Sequence, residues 1–132
     1  MVKQWFVFAA KDLRLAKHTL DFDPTFKSTA GFLAQQAAEK AIKGFMVWKQ
    51  VRFKKTHDMG ELSKQVVSID QNLSKIINKH KGLSKLAVTY RYPDAENKPL
   101  TLAKVKSSIK SAELIYQECF NRVFGSNSKN SI

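Results

Sequence analysis

The sequence predicts an all-α protein, an up-and-down helical bundle of four to five helices, and three observations carry that expectation. Apolar residues recur at spacings of three and four through most of the chain, the period of one face of an α-helix. Only 3 Pro and 5 Gly occur in 132 residues, and Ala, Lys, Leu, Gln and Glu, all good helix formers, recur throughout. No alternation of apolar and polar residues lasts long enough to mark a strand.

Trp5, Phe8, Ala9, Asp12, Leu13, Ala16 and Leu20 place the first helix at roughly residues 2 to 20. Asp21-Phe22-Asp23-Pro24 ends it, supplying a stop, a cap and a proline suited to a first helical position. The second helix, at roughly residues 26 to 50, carries Ala30, Leu33, Ala34, Ala37, Ala38, Ala41, Ile42, Phe45 and Trp48. That stripe is wide and rich in alanine, which lets neighbouring backbones come close, so this helix is expected at the centre of the bundle. Val51 to Lys55 is the loop that ends it.

Thr56 or Asp58 can cap the third helical segment, and Asp58 with Glu61 has the form of a capping box. Met59, Leu62, Val66, Ile69, Leu73, Ile76, His80, Leu83 and Ala87 draw one apolar seam along it. Asp70-Gln71-Asn72 and Gly82 are expected to break it into two or three helices. Because Tyr92 precedes a proline, the segment should end near Arg91, followed by a polar loop from Pro93 to Lys98. Pro99 then opens a last helix on which Leu102, Val105, Ile109, Ala112, Tyr116, Cys119 and Val123 repeat the spacing. Residues 1–124 form a single domain on this reading, and the Ser/Asn-rich tail, 125–132, is expected to be disordered.

Composition narrows the function classes. Cys119 is the single cysteine, so no disulfide can form within the chain and a reducing cytoplasm is the natural home. No stretch approaches the roughly 18 apolar residues of a membrane span. The net charge of +12 is concentrated in the middle: residues 49–110 hold fourteen Lys/Arg against five Asp/Glu, a net +9. A basic centre of this kind suits an anionic partner, whether a nucleotide, a nucleic acid or an acidic protein, and is equally that of a lysine-rich solvated surface.

Three strings could carry chemistry. In Gln35-Gln36-Ala37-Ala38-Glu39-Lys40-Ala41-Ile42-Lys43 the alanines are expected to face the core, with Gln36, Glu39, Lys40 and Lys43 sharing the opposite side. Lys40 and Lys43 could contact phosphate; the alternative is a close-packed helix with a solvated ladder from Glu39 to Lys43. Thr56-His57-Asp58 sets an imidazole and a carboxylate at a helix N-terminus, so His57 and Asp58 either bind an anion or proton or cap the helix. Arg91-Tyr92-Pro93-Asp94 turns toward the last helix, where Arg91 could grip a phosphate and Tyr92 stack on a base, or Arg91 could pair with Asp94 and fix the turn. His18 and His80 stand alone, and no Cys/His cluster at metal spacing, glycine-rich phosphate loop or serine-nucleophile motif is present. No catalytic residue, metal or cofactor is therefore assigned.

Read together, Ala10-x-Asp12-Leu13-x-x-Ala16, the Gln-Gln-Ala-Ala-Glu-Lys run, Thr-His-Asp and Arg-Tyr-Pro resemble the HEPN domain family across about residues 3 to 123. The resemblance implies an all-α bundle that commonly pairs into a homodimer. Some members are metal-independent ribonucleases, often toxins of toxin-antitoxin pairs, that use an arginine followed four to six residues later by a histidine in the later helices. Others lack that pair and serve as partners of a minimal nucleotidyltransferase or as nucleotide-binding modules. In this chain no histidine follows Arg91, and Arg52 and His57 meet the spacing only across the loop before the third helix.

The resemblance therefore implies a non-catalytic accessory protein of a nucleotidyltransferase that binds a nucleotide or nucleic acid, with Lys40, Lys43, His57, Asp58, Arg91 and Tyr92 as candidate ligand-binding residues. A ribonuclease using Arg52 and His57 is the alternative. A third class, a structural dimerisation module, would hold two chains together by the apolar seam containing Ile109.

Overall fold

The computed structural model describes residues 1–88 and 99–125. Among them lie six α-helices: α1 (Val2–Phe22), α2 (Lys27–Trp48), α3 (Met59–Val66), α4 (Gln71–Lys79), α5 (Ser84–Val88) and α6 (Leu102–Phe124), with a 3-10 turn at Lys81–Leu83. The molecule is an all-α bundle, and its third expected segment is divided near Asp70 and Gly82, where the sequence carries its breakers. The polar loop from Pro93 to Lys98 and all but the first residue of the expected tail lie outside the described residues.

Small residues put α2 at the centre. It packs chiefly on α1 and α6 and also touches α3 and α5, and Ala30, Ala34, Ala37, Ala38 and Ala41 are fully buried along it. A Cβ on Gly44 would lie 2.8 Å from Phe6 Cε2 and 2.9 Å from Trp5 Cβ. The close approach of α1 therefore requires glycine at that point. Leu13, Ile42, Phe45, Leu62, Leu73 and Ile115 fill the space between helices with no exposure to speak of, each contributing about 1.5–3 kcal/mol of apolar burial. On the far side, the Phe6 ring meets Tyr116, Phe120 and Phe124 of α6 edge-on, with centroids 5.4–6.0 Å apart.

The apolar stripes depart from expectation at particular residues. Phe6, not Phe8, completes the buried face of α1, and Phe8 is exposed. Phe6 lies seven residues before Leu13 and shares its line, whereas Phe8 is about 140° round the helix from Leu13. Met46 is buried at the end of α2 while Trp48 is largely exposed. After the break near Asp70 the seam resumes on Leu73 and Ile77, so Ile76 is only half-buried. The last helix begins at Leu102, not at Pro99, because Thr101 is its cap and accepts the Lys104 amide at 3.1 Å. Ile109 faces the bundle interior, and the seam expected to join two chains through it is taken up by the chain's own core.

Two polar clasps tie the short helices down. Ser63 of α3 and Ser74 of α4 are buried and donate reciprocally, each hydroxyl to the other's carbonyl at 2.8 Å. Asp70 caps α4 by accepting the Leu73 amide at 2.9 Å and receives Arg122 Nε of α6 at 2.6 Å. Burial alone would raise the Asp70 carboxyl, but the Leu73 amide and the Arg122 guanidinium outweigh it and hold it below the ordinary value. Burial pushes the Cys119 thiol well above its ordinary range, so it stays protonated in the core.

Candidate functional site

The loop from α2 to α3 is folded back over α2 by the way α2 ends. Lys49 is the last helical-type residue, and Gln50 adopts a left-handed backbone with φ 59°. The Gln50 amide then reaches the Val47 carbonyl at 3.0 Å and the Val51 amide reaches Met46 at 2.9 Å. This paired closure is a Schellman motif, here built on Gln in place of the usual Gly. Val51 and Phe53 pack against the core beyond it, with the Phe53 ring edge-on to Trp5 at 6.0 Å. Gln65 of α3 accepts the Lys54 amide at 2.9 Å and fixes the middle of the loop.

So held, the loop brings His57 onto the polar side of α2. His57 Nδ1 lies 2.6 Å from Glu39 Oε1, and Gln35 Nε2 donates to that same oxygen at 3.1 Å. Lys43 Nζ donates to the other carboxylate oxygen at 3.0 Å, and its ammonium sits 5.4 Å from the Phe53 ring centroid, a cation–π contact. Gln35 also reaches the His57 carbonyl at 3.4 Å, and Gln36 donates to Gln35 Oε1 at 2.8 Å. Both oxygens of the Glu39 carboxylate are thus engaged, from α2 and the loop together.

This arrangement corrects the expectation of a solvated face. Glu39 is 4% exposed and Lys43 7%, because the loop and Phe53 cover that side of α2. Their i,i+4 pairing is as the spacing suggests, but it lies within the protein. Sequence reasoning places Glu39 in a surface ladder and gives Gln35 no role. The signal is there: Gln35, Glu39 and Lys43 repeat at intervals of four inside an alanine-rich central helix, which is a polar line where an apolar one is expected.

Lys40 goes elsewhere. Its ammonium meets Asp12 of α1 at 2.6 Å and the pair is largely shielded, a cross-link between α1 and α2. Asp58 caps α3: its Oδ1 accepts the amides of Gly60 at 2.8 Å and Glu61 at 3.2 Å. The returning half of a capping box is supplied differently, with Thr56 Oγ1 accepting the Asp58 amide at 3.0 Å. The Met59 amide is taken by Ser84 of α5 at 2.7 Å. The first amides of α3 are therefore satisfied internally. Arg91 and Tyr92 lie outside the described residues.

His57 differs from its neighbours in keeping its side chain 62% exposed while one ring nitrogen is anchored. A carboxylate can only accept, so Nδ1 carries the hydrogen and Nε2 is the ring nitrogen left for a ligand. Arg52, Lys54 and Lys55 on the same loop are exposed as well. Chemically, this is an oriented imidazole on a basic loop: Nε2 accepts a hydrogen bond when the ring is neutral and donates one to an anion's oxygen when the ring is protonated.

The HEPN domain profile matches residues 2–123 of the chain. An archaeal protein described as a HEPN homologue has the same fold, with 23% identity and a TM-score of 0.71 over 93% of this chain and 98% of its own. A protein from Thermus thermophilus aligns at 25% identity and a TM-score of 0.73, covering 92% of this chain and 97% of its own. No curated protein matches the chain in sequence.

Proposed function

This chain belongs to the HEPN domain family, and from that membership we propose that it is a non-catalytic cytoplasmic accessory protein that binds the phosphates of a nucleotide or nucleic acid beside His57 and partners a nucleotidyltransferase. The observation that carries the reading is the Glu39–His57 contact at 2.6 Å, with the ring itself exposed. A histidine serving only to fill space would be covered. Here a buried carboxylate fixes its orientation and the ring is presented on a loop that also bears Arg52, Lys54 and Lys55. The net +9 of residues 49–110 supplies the long-range attraction for a polyanion.

Titration of the full chain with single-stranded RNA and with nucleotides tests this, at low and at raised salt. Binding should weaken steeply with salt, as phosphate contacts do, and fall about tenfold in His57→Ala or in Lys54→Ala with Lys55→Ala. No binding at low salt, and no nucleotidyltransferase recovered with the protein, would together reject the reading.

A second reading rests on the same contact. Glu39 leaves His57 Nε2 as a base, and Arg52 stands five residues before it, which suits metal-independent cleavage of RNA. It predicts cleavage in the presence of a chelator that disappears in His57→Ala. Cleavage persisting in that variant removes His57 from the chemistry.

A further inference from the structure

We propose that the aromatic rings beside the His57 loop form a stacking surface for single-stranded nucleic acid, an inference that rests on the phosphate-binding reading above and names its substrate class. The loop itself contains one ring, Phe53, between Arg52 and Lys54. The fold adds two more from α1. Trp5 meets Phe53 edge-on at 6.0 Å, and Phe8, three residues on from Trp5 and so beside it on the helix, is 53% exposed. Trp5 and Phe53 are half-buried and keep part of their surface open to water. The three rings therefore follow one another from the loop onto α1. His57 stands at the loop end of this series, because Glu39 holds it and also holds Lys43, whose ammonium lies against Phe53.

Cations accompany the rings at both ends. Lys43 Nζ sits 5.4 Å from the Phe53 centroid and Lys11 Nζ 5.5 Å from that of Phe8, while Arg52, Lys54 and Lys55 are exposed on the loop. The carboxylates on this side are already occupied. Asp12, one turn on from Phe8, is paired with Lys40 at 2.6 Å, Glu39 is taken by Lys43 and His57, and Asp58 Oδ1 is turned to the first amides of α3. Rings set among cations, with no carboxylate left to repel phosphate, suit a ligand in which flat bases alternate with phosphates. A duplex keeps its base faces inside its own stack and can use only the cations. A mononucleotide has one base for three rings. A single strand can use the rings and the loop cations together.

Fluorescence of the intact chain tests the surface, with binding followed independently by the anisotropy of an end-labelled strand. The two tryptophans are Trp5 and Trp48, so Trp48→Phe leaves Trp5 as the reporter. An oligouridylate of about twelve nucleotides should quench Trp5 and bind at least about tenfold more tightly than uridine monophosphate or a blunt RNA duplex at equal phosphate concentration. Phe8→Ala should weaken strand binding about tenfold without changing the slope of affinity against salt, as loss of stacking does. Lys54→Ala with Lys55→Ala should instead flatten that slope, as loss of phosphate contacts does. Phe22→Ala, exposed at the far end of α1, should bind as the wild type does. Absence of binding by strand, duplex and nucleotide alike at low salt rejects the phosphate-binding reading and this surface with it. Duplex bound as tightly as strand, Trp5 unquenched at saturating strand, or Phe8→Ala indistinguishable from Phe22→Ala overturns the stacking surface and leaves that reading standing.

Discussion

Glu39 and His57 stand 18 residues apart in sequence and meet at 2.6 Å, one of them buried and the other open to water. Their unequal exposure separates stability from binding. Glu39→Ala strands the Lys43 ammonium in a site closed to solvent, and loss of one partner of a buried pair costs about 3–5 kcal/mol. His57→Ala removes an exposed ring and should change stability by less than about 1 kcal/mol while weakening anion binding. Urea denaturation of the two variants checks this, and equal destabilisation would contradict the division of labour.

Gln50 holds the left-handed position that turns the loop back over α2. Glycine adopts that conformation without a Cβ clash, so Gln50→Gly should stabilise the fold by about 0.5–1 kcal/mol. Gln50→Val should destabilise by a similar amount or more, since a β-branched residue is disfavoured there. Thermal melts of the two variants should move in opposite directions.

The Asp70–Arg122 pair gives the protein a defined acid sensitivity. Because the folded carboxyl titrates below its ordinary value of 3.8, its contribution is in full at neutral pH and is lost as pH falls through the folded value. Asp70→Asn keeps a capping side chain but loses the charge, and should cost about 1–2 kcal/mol at pH 7. That difference should shrink toward zero as denaturation is measured at pH values taken well below 3.8. A gap that stays constant with pH would mean that the charge contributes nothing.

Ser63 and Ser74 satisfy each other's carbonyls at a buried crossing, so their effects should not add. Either serine to alanine removes one donor and should cost about 1–2 kcal/mol. The double variant should cost less than the sum, with a coupling of about 0.5 kcal/mol or more in a double-mutant cycle. Strict additivity would show that the two hydroxyls act independently.

Most of the fold is legible from the three-and-four spacing, because α1, α2 and α6 are long enough for a period to show. Where a single residue decides the matter, as with Phe6 against Phe8, counting intervals misleads: Trp5, Phe8 and Asp12 also recur at three and four, whereas the angle from Leu13, about 20° for Phe6 and about 140° for Phe8, separates the two. The site is less legible. His57 and Lys43 are marked by residue type, but the coverage of Glu39 depends on a loop turned back by Gln50. A left-handed glutamine carries no sequence sign comparable to glycine. The capping role of Asp58 can be read directly, since a carboxylate two or three residues before free amides has one obvious use.

Gly44 lies under Phe6 and Trp5 with no room for another atom, which makes the order of mutations matter. Alanine there gains intrinsic helix preference of about 1 kcal/mol, yet overpacking against a rigid ring costs about 1–3 kcal/mol. The same alanine introduced after Phe6→Leu is relieved of the ring but still meets Trp5 Cβ at 2.9 Å, so only part of the damage should be recovered. The second contact is with an atom that every residue but glycine carries, so the approach of α1 itself holds position 44 at glycine, and a variant library that shrinks Phe6 first opens only half of the path.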